Sequence, residues 1–249
     1  MTTQIEQPQP DTIASRVYKQ LRKDIISGVF PPGAHLVKRV LAKKYGVSVP
    51  PVIEACLRLG NDGLVESSPL VGSFVPLISP EKLEEEHIFR EAIECQISRV
   101  YAVRASDADR TLVLRLAESL DEIETDRKAE IPEINRRYQK MHFEYHMVVA
   151  KLSRVKLLYS QMEKVWFRRL VFVWNVDKRR FPTPPNWHVK LTQALNSGNP
   201  ERAEVAMREH FNINAHKKTE TLPASMFLSS DYFDDVISKL PDADHLLNQ

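Results

Sequence analysis

The segment from Leu36 to Val75 constrains this chain most, because it carries an ordered set of local signals in a short span. Val40, Leu41, Tyr45 and Val47 predict a short helix that stops at Gly46, the residue type that closes helices in the left-handed conformation. Ser48 stands where a second helix needs a cap, and Val52, Ala55, Cys56 and Leu59 recur at helical spacing as its buried stripe. After Asn61-Asp62-Gly63 come two short runs, Leu64-Val65-Glu66 and Gly72-Ser73-Phe74-Val75. Between them, Ser67-Ser68-Pro69 predicts the tip of a two-stranded wing. Two short helices joined by a tight turn and followed by a hairpin form a winged helix-turn-helix, which lays its second helix in the major groove of DNA.

Charge supports that placement. Residues 12–76 hold 9 Lys and Arg against 4 Asp and Glu, whereas the whole chain carries a formal charge of only +2. A basic first domain ahead of a near-neutral remainder suits a polyanion reader joined to a sensor. Cys56 and Cys95 fall among apolar helical residues and are expected as buried thiols, not a disulfide. No leader sequence and no long apolar run is evident, so the expected location is the cytoplasm, with no membrane partner.

In chain order, residues 1–11 are polar and expected to be disordered. Asp11 or Thr12 caps a first helix to about Ser27, with Val17, Leu21 and Ile25 inward. The winged domain fills 12–76, and 77–79 is the linker. Ser79-Pro80-Glu81 then combines a cap, a proline at the first helical position and an acid in the first turn. Six helices are expected, over about 80–104, 107–126, 131–152, 155–179, 184–197 and 200–218, the last opened by Asn199-Pro200-Glu201. Short connections fold them into an antiparallel bundle, making the chain mainly α. In the extension 219–249, Ser229 to Leu240 predicts one more short amphipathic helix.

The first 75 residues support a closer comparison. Ile25-Ile26-Ser27-Gly28-Val29-Phe30-Pro31-Pro32-Gly33, with Val47-Ser48, Pro51-Val52, Glu54-Ala55 and Gly63-Leu64-Val65, resembles the DNA-binding domain of the GntR transcription regulators. The resemblance implies that Lys38, Arg39, Ser48, Val49, Pro50, Ile53 and Gly72 lie at the DNA. The family typically has Arg where this chain has Val49 and Ile53, and often Arg at Val71 in the wing; Arg39 alone is retained. Pro50 and Pro51 also remove two backbone N–H groups. The helix tip is therefore apolar: Val49, Pro50 and Ile53 suit thymine methyls, and Arg39 suits one guanine.

Four of the eight histidines share a further feature. His142 and His146 lie four apart along the flank of the stripe Ile134, Tyr138, Met141, Tyr145, Val148 and Leu152. His188 leads Leu191 and Leu195, and His210 follows Ala203 and Met207. Each alone fits a satisfied core histidine; together they fit a metal site built inside a bundle. His35, His87, His216 and His245 show no such grouping and are expected at the surface. Residues 80–218 resemble the FCD ligand-binding domain of the FadR-like GntR subgroup. That resemblance carries metal ligation to His146, His188 and His210, with His142 standing where the family usually has Asp. It also implies a small carboxylate effector, with Arg90 as an anion clamp and Tyr145 in the pocket. Imidazole donors suit a divalent transition metal, zinc first and nickel second.

The expectation is a homodimeric transcription regulator, a repressor in this family's usual sense, that binds a pseudo-palindromic double-stranded operator. The alternative is a metal- and metabolite-binding relative that has lost specific DNA reading. An enzyme is not expected: Glu144, between two of the histidines, points away from the face they share.

Overall fold

The computed structural model describes residues 12–77, 79–125, 131–173 and 184–215. The expected N-terminal extension, linker position 78, the helix end at 174–179, residues 216–218 and the 219–249 extension lie outside the described residues, as do His216 and His245.

The first domain comprises α1 (Ile13–Ile26), α2 (Lys38–Tyr45), α3 (Val49–Asn61), β1 (Glu66–Ser68) and β2 (Gly72–Phe74). Thr12 caps α1, its side chain accepting from the Ser15 amide. Val17, Leu21 and Ile25 pack inward, as do Val52, Ala55, Cys56 and Leu59 of α3. Gly46 closes α2 with φ 65°, a conformation most other residues resist. Leu59 is fully buried. Leu59→Ala should therefore lower unfolding stability by about 2–5 kcal/mol, read as a fall in the urea midpoint.

Three local expectations need correction. The wing tip is Pro69 to Val71, since Ser67 pairs with Ser73 and Ser68 with Gly72 in the strands. Leu64 and Val65 serve the core instead. Val40 faces solvent at 62% exposure. Ser48 occupies the N-cap of α3 but makes no cap hydrogen bond. An N-cap oxygen accepts from the second or third helical N–H, and those positions are Pro50 and Pro51, which have none.

The second domain is a bundle of α4 (Pro80–Arg104), α5 (Asp107–Thr125), α6 (Ile131–Leu152), α7 (Lys156–Val173), α8 (Trp187–Leu195) and α9 (Pro200–Ala215). Ser79 caps α4 by accepting from the Lys82 amide at 3.2 Å. Asn199 caps α9 by accepting from the Arg202 amide at 2.8 Å. Helix α4 runs against α9, α6 and α7, and Arg99 ties it to Glu201 and Glu204 of α9. Helix α8 starts at Trp187, later than expected, after Pro184-Pro185 and a left-handed Asn186. Its cap comes from another helix. The Asp121 carboxylate of α5 accepts from the His188 and Val189 amides at 3.1 and 3.0 Å. Both cysteines are free and buried, and burial raises the Cys56 and Cys95 thiols, the latter to about 11. No described helix is long and apolar enough to cross a membrane.

Candidate metal and effector centre, and the face toward DNA

In the winged domain, Arg39, Ser48 and Pro50 are exposed, Val49 and Gly72 half-buried, and Ile53 42% exposed. Lys38 Nζ donates to Ser73 Oγ at 2.8 Å, which ties the start of α2 to the wing. All seven expected DNA-side residues thus lie on α2, the start of α3 or the wing, and none is fully buried.

In the bundle, three of the four expected histidines converge. His142 and His146 of α6 and His210 of α9 bring ring nitrogens within 4.8 Å of one another, all in buried positions. His142 Nε2 lies 3.1 Å from His146 Nε2 and 3.4 Å from His210 Nε2. Two nitrogens bound at roughly 2.0–2.1 Å to one tetrahedral zinc stand about 3.3–3.4 Å apart, so the spacing fits shared ligation. His142, the substituted position, is the hub. His188 stands at the edge, its ring centroid 5.1 Å from that of His210 and 5.3 Å from that of His142.

Neighbouring carboxylates set two of these rings. His146 Nδ1 meets Glu94 Oε2 at 2.5 Å, and His188 Nδ1 meets Asp121 Oδ1 at 2.8 Å. With Nδ1–H donating outward, each Nε2 keeps its lone pair for the interior, the arrangement that orients metal-ligating imidazoles. Burial, followed by the neighbouring histidines, pushes His142 and His210 well below the usual imidazole range. Burial lowers His146 too, against the opposing pull of Glu94. Neutral imidazoles are the form a metal binds. Burial alone would raise the Glu94 and Asp121 carboxyls. Facing His146 and Arg90, and His188 with two backbone amides, both are instead held below the ordinary range.

Beside the histidines lies a buried cluster of cationic and aromatic side chains. Arg90 is buried, pairs with Glu94 at 3.2 Å, and lies over the rings of Trp166 and Phe211. Arg169 also approaches Trp166, at 5.8 Å. Desolvation and the like charge of Arg90 bring its guanidinium down to about 9. Arg90 Nη1, Trp166 Nε1, Trp187 Nε1 and His210 Nδ1 are buried with no hydrogen-bond partner among the described residues. Trp166 packs against His142 and His146, and Trp187 stacks on His210 at 5.3 Å. These orphaned groups therefore belong to one locality, and such groups in a folded protein point to an acceptor that completes them.

Arg90 is therefore a buried group of the centre, paired with Glu94. Tyr145 is fully buried beside His146 and His188, with its hydroxyl 2.8 Å from Thr192 Oγ1. His35 is exposed as expected, but His87 is half-buried against Phe211. Glu94, Asp121 and Arg169 had no role in the sequence reading. Their spacing from the histidines in sequence gives no local signal, since their partners lie on other helices.

Helix α7 joins this centre to the DNA side. Trp166 and Arg169 belong to this cluster, while Arg168 Nη1 donates to the Asp62 carbonyl at 3.2 Å and Lys164 pairs with Asp62 Oδ1 at 3.3 Å. Asp62 is the C-cap of α3. Arg168 also grips Glu86 of α4 at 2.8 Å. Gly63, at φ 74°, leaves room for it, since a Cβ there would stand 2.8 Å from Arg168 Cδ.

Comparison with known proteins agrees with the architecture. The gntR family of bacterial regulatory proteins matches residues 13–75, and the FCD domain matches residues 87–212. The Escherichia coli K12 transcriptional repressor RspR is 25% identical over 84% of this chain and 89% of its own length. The repressor GlaR of the same organism is 26% identical over 78% and 90%. Among solved structures, a GntR regulator from Rhodococcus sp. RHA1 superposes with a TM-score of 0.62 at 26% identity, covering 82% of this chain and 96% of that one. Escherichia coli McbR shares the fold with a TM-score of 0.60 at 21% identity, covering 83% and 96%.

The chain is thus a DNA-binding transcription regulator by class. It belongs to the GntR family, in the branch whose second domain is an FCD domain, and members of this family are regulators and not enzymes.

Proposed function

We propose that this protein is a cytoplasmic, homodimeric repressor that binds a pseudo-palindromic operator and releases it when a small carboxylate enters the bundle. The convergence of Arg90, Arg169 and the orphaned groups of Trp166, Trp187 and His210 on the histidine cluster carries the reading. That lining is rich in donors and cations, and its complement is a compact anion with several acceptor oxygens. His142, His146 and His210, with His188 at the edge, are the residues that would hold a divalent metal, zinc before nickel. Bound there, the ion would supply a Lewis-acidic partner for one carboxylate, and the neutral imidazoles that would hold it cancel none of its charge themselves. Arg90 and Arg169 would supply the cations that pair with the anion. Repression is the role named for RspR and GlaR, and a symmetric dimer places two reading heads on two half-sites.

The test is a selection of bound sites from a random duplex pool by metal-loaded protein, followed by titration with small carboxylates. The expected result is one enriched near-palindrome, released by at least one carboxylate from wild type but not from Arg90→Gln. Release that survives in Arg90→Gln overturns the pocket assignment. A second reading, a metabolite-binding protein without specific DNA recognition, draws on the apolar tip of α3 and predicts no enriched site.

Helix α7 gives the reading a route, because it touches both the pocket and the C-cap of α3. Allosteric couplings are typically about 5–150-fold in affinity. Arg168→Ala should leave carboxylate affinity near wild type while removing most of that factor, as measured by operator anisotropy with and without effector.

A further inference from the structure

The exposed face of α3 carries chemistry that the family assignment does not specify. Opposite the buried stripe, Pro50, Ile53, Glu54 and Leu57 are all exposed and fall three, four and seven residues apart, on one line along the helix. Ile53 is 42% and Leu57 64% exposed. This line holds no hydrogen-bond donor. Its side chains are apolar or, at Glu54, acceptor-only, and Pro50 and Pro51 present no N–H. The cations lie to the side, with Arg39 and Lys43 exposed on α2 and Lys38 bound to the wing at Ser73.

We infer that α3 reads thymine C5-methyl groups, with Pro50 and Ile53 as the specificity-determining residues, Leu57 extending the stripe, the α2 lysines fixing register on the phosphates, and Arg39 beside the stripe free to take one guanine. In the major groove, guanine presents two acceptors, whereas thymine presents one acceptor and a methyl. A helix face without donors that settles on guanine leaves O6 and N7 desolvated and unpaired, which is unfavourable. The same face settling on thymine buries methyl against methyl. Each such contact is worth about fourfold in affinity, the equivalent of roughly 0.8 kcal/mol for one buried CH2-sized group. Phosphate contacts add affinity without sequence preference. The division of labour is therefore spatial: lysines on α2 position the domain, and the apolar line on α3 selects the base pairs.

This inference rests on the DNA-binding assignment but not on the metal or the effector. Its test uses the full-length, metal-loaded protein and the site enriched from the random pool. Each thymine is replaced in turn by deoxyuridine, which removes only the methyl. The expected result is a loss of about fourfold at one or two positions per half-site, mirrored across the dyad. In Ile53→Ala, an exposed and conservative change, sensitivity at one of those positions should vanish. An enriched site with guanines under α3, or a uracil scan that changes affinity nowhere, overturns methyl reading and leaves the regulator standing. Absence of any enriched site overturns both methyl reading and the operator half of the proposed function.

Discussion

Removing the metal from purified protein is expected to lower its melting temperature by about 5–11 °C. A ligand held at roughly 100 times its Kd adds about 2.7 kcal/mol to the folded state. For a chain of this size each kcal/mol corresponds to about 2–4 °C. The stabilisation would come from histidines that the fold has already brought together, with His142 Nε2 at 3.1 Å from one partner nitrogen and 3.4 Å from the other. Metal content should be about one ion per chain by elemental analysis, falling close to zero in His210→Ala. His142→Asp separates ligation from charge. It restores a carboxylate at the hub and should keep the ion, since an Asp oxygen ligates as well as an imidazole. By neutralising one unit of the ion's charge, it should also weaken the carboxylate effector. A protein that melts at the same temperature with and without chelator would falsify the metal assignment.

Much of this architecture is readable from local signals, because they depend on residues within one or two turns. The stripe Val52, Ala55, Cys56, Leu59 and the left-handed Gly46 appear where spacing and residue type put them. So do the caps at Ser79 and Asn199. The histidine cluster is readable for the same reason, since each inward-facing imidazole is marked by the apolar stripe of its own helix. What is not readable depends on register between helices. Glu94 reaches His146 from α4, and Asp121 both caps α8 and orients His188 from α5. No local pattern marks either carboxylate. The two faces of α7 are another case. Arg168 and Arg169 are adjacent in sequence, yet one holds the C-cap of α3 and the other approaches Trp166 in the buried cluster. Ser48 is different, because the two prolines that deprive its hydroxyl of a partner are visible in the sequence. Those same prolines remove two backbone N–H groups from the tip of α3, so one local feature explains both the missing cap and the loss of backbone donors there.

Acid should unfold the metal-free protein steeply, beginning just below neutrality. His142, His146 and His210 all titrate below the ordinary imidazole value in the folded state, with burial as the leading cause. An unfolded chain returns them to about 6.5. Below that pH, unfolding takes up protons that the folded state refuses, so stability is present above about 6.5 and is lost as pH falls. Each histidine contributes at most about 1.4 kcal/mol per pH unit, and only between its unfolded and its folded value. Glu94 and Asp121, held below their ordinary range, add to the loss at more acid pH, as protons reach the carboxylates that pair with His146 and His188. Urea titrations at successive pH values measure the slope directly. It should fall by about two-thirds in His142→Gln, His210→Gln double-variant protein, which keeps polar side chains but removes two of the three titrating groups. Bound metal opposes the same loss, because it binds only neutral imidazoles. With metal present the onset should therefore move to lower pH, and the displacement should grow with metal concentration. Equal stability at pH 7 and pH 5 without metal would mean that these imidazoles are not held neutral in the bundle.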